Sequence, residues 1–147
     1  MRRFIPLSAL LLLPFAVCGC PGSGNDLVDE MMVPDDDPVI DMGTLSYIQE
    51  NVFVPFCVDC HRLGGQAEII MRLDDEQTSA ANLINVPSIF CMGGIPRVTP
   101  GDPENSCLVW KVEGRPEAGR PMPLNLPPLS QENIDAIIEW IADGAPP

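Results

Sequence analysis

Residues 44–147 predict a small helical domain held in long loops, and three observations lead there. An apolar stripe of helical period, Ile134, Ile137, Ile138 and Ile141, runs close to the C-terminus. A shorter helical pattern, Leu45, Ile48 and Val52, opens the region. Between the two lies a stretch dense in Pro and Gly, with no βαβ alternation. At 147 residues, the chain has room for one such domain and little more.

Taken in order, the chain begins MRRFIPLSALLLLPFAVCGC, with Arg2 and Arg3 ahead of an apolar run over 4–17. That run is too short to span a bilayer, and Pro6 and Pro14 interrupt it, so it reads as an export signal. Its end, Val17-Cys18-Gly19-Cys20, resembles a bacterial lipoprotein processing site, where a small residue precedes the cysteine that is lipidated. The resemblance implies a signal peptide over 1–19 and a lipid on Cys20 that holds the protein at a membrane without a spanning helix. Ordinary signal cleavage nearby would instead give a soluble exported protein. Residues 20–43 are rich in Gly, Pro and Asp and lack a sustained apolar period, which predicts a flexible acidic tether.

The folded domain is expected over 44–147. Thr44 or Ser46 is placed to cap the first helix, with Gln49 three residues after Ser46 completing a capping box. Pro55 should end or kink that helix just before Cys57. A second helix is expected from Asp75 to about Leu83, with acids at its start where the helix dipole favours them. Residues 87–128 read as loops, and a loop stretch that long suggests a large buried group serving as core. Ser130 should cap the final helix, Leu129 and Ile134 form a staple across its start, and Gly144 ends it.

The first helix delivers the most informative stretch, FCVDCHRLGG. Cys-x-x-Cys-His is the pattern of c-type haem attachment. Thiols three residues apart reach two vinyl groups on one side of a porphyrin, and the next residue sets its imidazole beneath the iron. Cys57 and Cys60 would form the thioethers and His61 would bind the metal. Zinc would need about four ligands, and His61 is the single histidine, so Cys91 or Cys107 would have to be recruited without a second CxxC. A thiol–disulfide switch wants a preceding strand and βαβ surroundings, which are missing.

The cysteine count agrees with haem. Of six, Cys18 leaves with the signal, Cys20 takes lipid, and Cys57 and Cys60 take haem c. Cys91 and Cys107 remain, and an oxidising exported setting should pair them as a disulfide worth about 3 kcal/mol in the chain-entropy account. For the sixth iron position, Met71, Met92 and Met122 compete. Lys111, the single lysine, sits in LVWKVEG, which reads as a solvated strand end. Met71 lies in an apolar run suited to core packing, and Met92 is tied to Cys91. Met122, in Arg120-Pro121-Met122-Pro123, has prolines on both sides that restrict the backbone and favour holding a weak thioether ligand. Arg97, Arg115 and Arg120 are candidate partners for haem propionates, with surface solvation as the ordinary alternative.

On these residues the chain resembles a small class I cytochrome c over about 44–145. The likeness rests on CVDCH, RPMP and LSQENIDAIIEWIADGA. Segments such as LINVPS and RVTPGDPENSCLVWKV are similar to those of a bacterial subgroup. It implies an all-α fold whose first and last helices clamp the haem, with His61/Met122 ligation and one-electron transfer. The long middle carrying Cys91 and Cys107 departs from the family pattern.

The function expected is that of a membrane-tethered electron carrier on the periplasmic side, not an enzyme in its own right. The alternatives are a haem-based ligand-binding or sensor domain, or a haem subunit of a larger redox complex. With 8 basic against 21 acidic residues, the net charge is −13. That charge argues against nucleic acid and for redox partner proteins with a positive or apolar docking face.

Overall fold

In the computed structural model, which describes residues 41–147, Thr44 opens the first helix. Its extended backbone (φ −107°, ψ 150°) lets the side-chain oxygen accept the Tyr47 N–H at 3.2 Å. Helix α1 covers Leu45–Ile48, a π-helical turn covers Gln49–Phe53, and α2 covers Val54–Phe56. The wide turn is marked by the Val54 N–H bonding to the Gln49 carbonyl, five residues back. It lies immediately before Pro55, which has no N–H and would crowd the carbonyl of Asn51 in a regular helix. The helix therefore passes Pro55 and ends at Cys57.

The capping box expected between Ser46 and Gln49 does not form. With Thr44 as cap, the reciprocal position falls on Tyr47. Gln49 turns inward and is buried. Its amide donates to the Leu73 carbonyl at 2.9 Å and its oxygen accepts from the Ser79 hydroxyl at 2.8 Å. The second bond joins the π-helical turn to α3, Glu76–Leu83, whose cap is Asp75 accepting the Thr78 N–H at 2.8 Å.

After α3 the chain doubles back through bridges Ile84–Val98 and Pro87–Pro96, and the region read as loops then contains a helix. Helix α4, Cys107–Glu113, replaces the expected strand end around Lys111. Its buried Leu108, Val109 and Val112 form one face. Gly114 at φ 72° ends it, with the Gly114 N–H on the Lys111 carbonyl and the Arg115 N–H on the Trp110 carbonyl. That is a Schellman ending, which needs a residue free to take a left-handed backbone. Arg115 ties the same corner to Glu104 and Glu113.

Helix α5, Gln131–Ala142, starts at Ser130, which accepts the Asn133 N–H at 3.3 Å. Leu129 and Ile134, flanking that cap, are both buried. The helix packs against α1 and α4. Ile137, Trp140 and Ile141 are fully enclosed, and the indole N–H of Trp140 donates to the Pro146 carbonyl at 2.9 Å. With Ile48, Phe53, Leu73, Leu83 and Val109 they make one continuous core. The domain thus packs a protein core of its own, rather than depending on a bound group as its only core. Among the described residues no helix is long and apolar enough to cross a membrane. The segment 1–19, Cys20 and most of the tether lie outside the described residues.

Candidate functional site

The Cys-x-x-Cys-His stretch is a tight turn directly after α2. The Cys60 and His61 N–H groups both donate to the Cys57 carbonyl, at 3.2 and 2.9 Å. Cys57 and Cys60 are free thiols, the first half-buried and the second exposed. Burial, reinforced by the neighbouring Cys60, pushes the Cys57 thiol up to about 12, so it stands as a neutral thiol. The chain then folds back so that the Ala67 N–H reaches the Cys60 carbonyl at 2.9 Å. Gly65 makes this return possible, because a side chain there would collide with that same carbonyl group.

His61 is 7% exposed. Its Nδ1 lies 3.2 Å from the Met71 carbonyl, an arrangement that favours the Nδ1–H tautomer. Among the described residues no hydrogen bond to Nε2 is formed, and since no buried side-chain nitrogen is left without a partner there, that atom is not an enclosed orphan. The Leu73 N–H returns to the His61 carbonyl at 2.7 Å, closing residues 61–73 into a bonded loop. Arg97 braces it from outside, donating to the Ile70 carbonyl at 2.6 Å and to the Asn82 carbonyl at 2.7 Å. Burial lowers the His61 pKa from its ordinary value, and the Arg97 cation adds to that, against the opposing Met71 bond.

Met122 is half-buried, its N–H is bonded to the Lys111 carbonyl at 2.9 Å, and a cis bond to Pro123 follows it. It lines a cavity of about 240 Å³ with Val112, Gly114, Pro121, Pro123 and Leu126. Cys57, Cys60 and His61 are not on that wall. Met71 packs against the core and lends its carbonyl to His61, while Met92 is 66% exposed. The sulfurs of Cys91 and Cys107 are at bonding distance, with Cα atoms 5.9 Å apart, and both residues are buried. Of the three arginines, Arg115 is engaged by Glu104 and Glu113, and Arg97 contacts carbonyls rather than carboxylates. Arg120 is exposed and offers its carbonyl to Lys111.

The donor set fits a covalently attached haem. Two free thiols three residues apart precede an imidazole whose Nδ1 is held by a carbonyl, as the nitrogen not bound to the metal commonly is in metal-bound histidines. Large apolar side chains near the motif in sequence, Val54, Phe56, Leu63 and Ile69, are exposed. Among the described residues no three His, Cys, Asp or Glu side chains converge on a common point, so a structural zinc site of the usual kind is not assembled. Comparison of the chain with protein-family models, curated proteins and solved structures finds no match.

Several participants carry no local sequence signal. The Met71 carbonyl is a backbone group, and Arg97 and Gln49 act across long separations. Gly65 is legible only as the second glycine of RLGG. None of the four belongs to the attachment pattern itself.

Proposed function

We propose that this chain is a single-haem c-type cytochrome that carries electrons, tethered through Cys20 to the periplasmic side of a bacterial membrane. One observation carries the reading: His61, next to two free thiols, is held by Nδ1 on the Met71 carbonyl, and among the described residues Nε2 makes no hydrogen bond that would compete with a metal. Cys57 and Cys60 would hold the group covalently, His61 would bind its iron, and Met122 would complete the ligand set. When bound, haem supplies reversible one-electron chemistry between ferrous and ferric iron, and thioether ligation favours the reduced form. The protein's own part is orientation and exclusion of water. The buried imidazole keeps one tautomer, and the bracing of 70–73 by Gln49 and Arg97 holds the carbonyl that sets it. The acidic balance favours docking to positively charged or apolar redox partners, with encounter rates that fall as salt rises.

The test is an intact-mass and absorption measurement on protein exported from a host equipped for cytochrome maturation, followed by acidified acetone. Added haem mass that stays with the polypeptide supports the proposal. A colourless product, or pigment released into the solvent, overturns it. Rapid, complete carbon monoxide binding to the reduced protein at neutral pH would instead select a haem domain that binds a small ligand at the sixth position.

A further inference from the structure

The loop that carries Met122 is bonded on both sides of Pro121 to one residue, Lys111, through its backbone carbonyl and its ammonium. Lys111 lies in the last turn of α4 and is half-buried. Its carbonyl accepts the Met122 N–H at 2.9 Å, and its ammonium donates to the Arg120 carbonyl at 3.0 Å. One helical residue therefore holds the loop on both sides of Pro121. The ammonium also lies 5.7 Å from the centroid of the Phe90 ring, within cation–π range. Phe90 precedes Cys91, whose partner Cys107 is the first residue of α4. The Cys107 and Leu108 N–H groups donate to the Pro96 and Arg97 carbonyls, so the start of α4 is fixed as well.

We propose that Lys111 is the positioning residue for Met122. Helix α4, anchored at one end by the Cys91–Cys107 pair, acts as a strut, and the Lys111 ammonium clamps the 120–122 loop against its other end. This role rests on the proposed ligation of iron by Met122, but the grip on the loop can be measured without it. Prolines stiffen the backbone on either side of Met122 without saying where the stiff segment sits, and the Lys111 bonds supply that placement.

The experiment uses the full chain and two readouts. In Lys111→Met, which keeps an apolar chain and removes the ammonium, the Met122 amide should exchange with solvent about tenfold faster, the effect of losing one charged hydrogen bond. The Ile137 amide in α5 should keep its rate, showing that the fold stands. In protein carrying haem, the same variant should keep its haem mass and lose most of the sulfur-to-iron absorption band. Lys111→Arg should restore both signals. Phe90→Leu, which spares the ammonium, should give a smaller change of the same sign and serves if Lys111→Met does not fold.

Unchanged Met122 exchange in Lys111→Met overturns the proposal whether or not the protein carries haem. Faster exchange with an intact band also overturns it, because the residue would then hold the loop without placing the ligand. If wild-type protein carries no haem at all, the electron-carrier reading fails, while the exchange measurement still decides whether Lys111 grips the loop.

Discussion

His61 and Met122 sit in very different surroundings. His61 is buried, bonded to the Met71 carbonyl, and enclosed by a loop that Gln49 and Arg97 brace from two directions. Met122 is half-buried beside a cavity, on a loop fastened to α4 through one residue. The histidine side is fixed by many long-range bonds, so losing one leaves others in place. The methionine side depends on a few contacts and should respond to small changes. In the proposed cytochrome this separates attachment, which must be permanent, from the sixth ligand, which sets the electronic character of the iron.

The largest expected effect breaks that comparison directly. His61→Ala should abolish accumulation of pigmented protein, because the turn loses the imidazole next to both thiols. Met122→Ala should leave haem mass and pigment in place, remove the sulfur-to-iron band and lower the reduction potential. Mass, visible absorption and redox titration read the pair together. Equal loss of pigment in both variants would show that the two sides do not differ as the bonding pattern indicates.

Next in size is the strut. Replacing Cys91 and Cys107 together by Ser should lower stability by about 3 kcal/mol if the link acts mainly on the unfolded chain. Urea unfolding of the variant and of wild-type protein measures it. The comparison sharpens if the damage is local as well: amides in α4 and at Met122 should lose protection before those around His61. Uniform loss across both sides would mean that the link stabilises the whole domain and favours neither.

Much of the fold was legible because its signals are local. Ser130, the isoleucine stripe and Gly144 mark α5 within the helix itself, and Asp75 does the same for α3. Helix α4 was missed for a physical reason. Cys107-Leu-Val-Trp-Lys-Val-Glu carries two β-branched valines, and its cap residue Ser106 spends its hydroxyl on Thr99 and Asp102 rather than on the helix. What fixes α4 is burial of Leu108, Val109 and Val112 and the left-handed ending at Gly114. Gln49 shows the same limit in reverse. A local rule assigned it to a cap, while bonds to Leu73 and Ser79, 24 and 30 residues away, took it into the core. At the site, the attachment residues form a contiguous word, but the groups that orient His61 are a carbonyl and an arginine that no short pattern joins.

The smallest expected effect concerns pH and isolates the histidine side in protein without haem. Burial and the Arg97 cation hold the folded His61 pKa below its ordinary value, so the fold prefers the neutral ring. As pH falls through the ordinary imidazole range, the unfolded chain takes up a proton that the folded chain still refuses. The unfolded state then binds more protons, and stability must fall with falling pH across that window, levelling once the folded ring is protonated as well. Arg97→Met should shrink this slope by removing the cation. It should also cost about 2 kcal/mol at every pH, because the Ile70 and Asn82 carbonyls lose a charged donor. Urea midpoints against pH separate the two contributions, since one changes the slope and the other shifts the whole curve. A variant with the full wild-type slope would mean that burial alone lowers the His61 pKa, leaving Arg97 as a brace for the loop and no more.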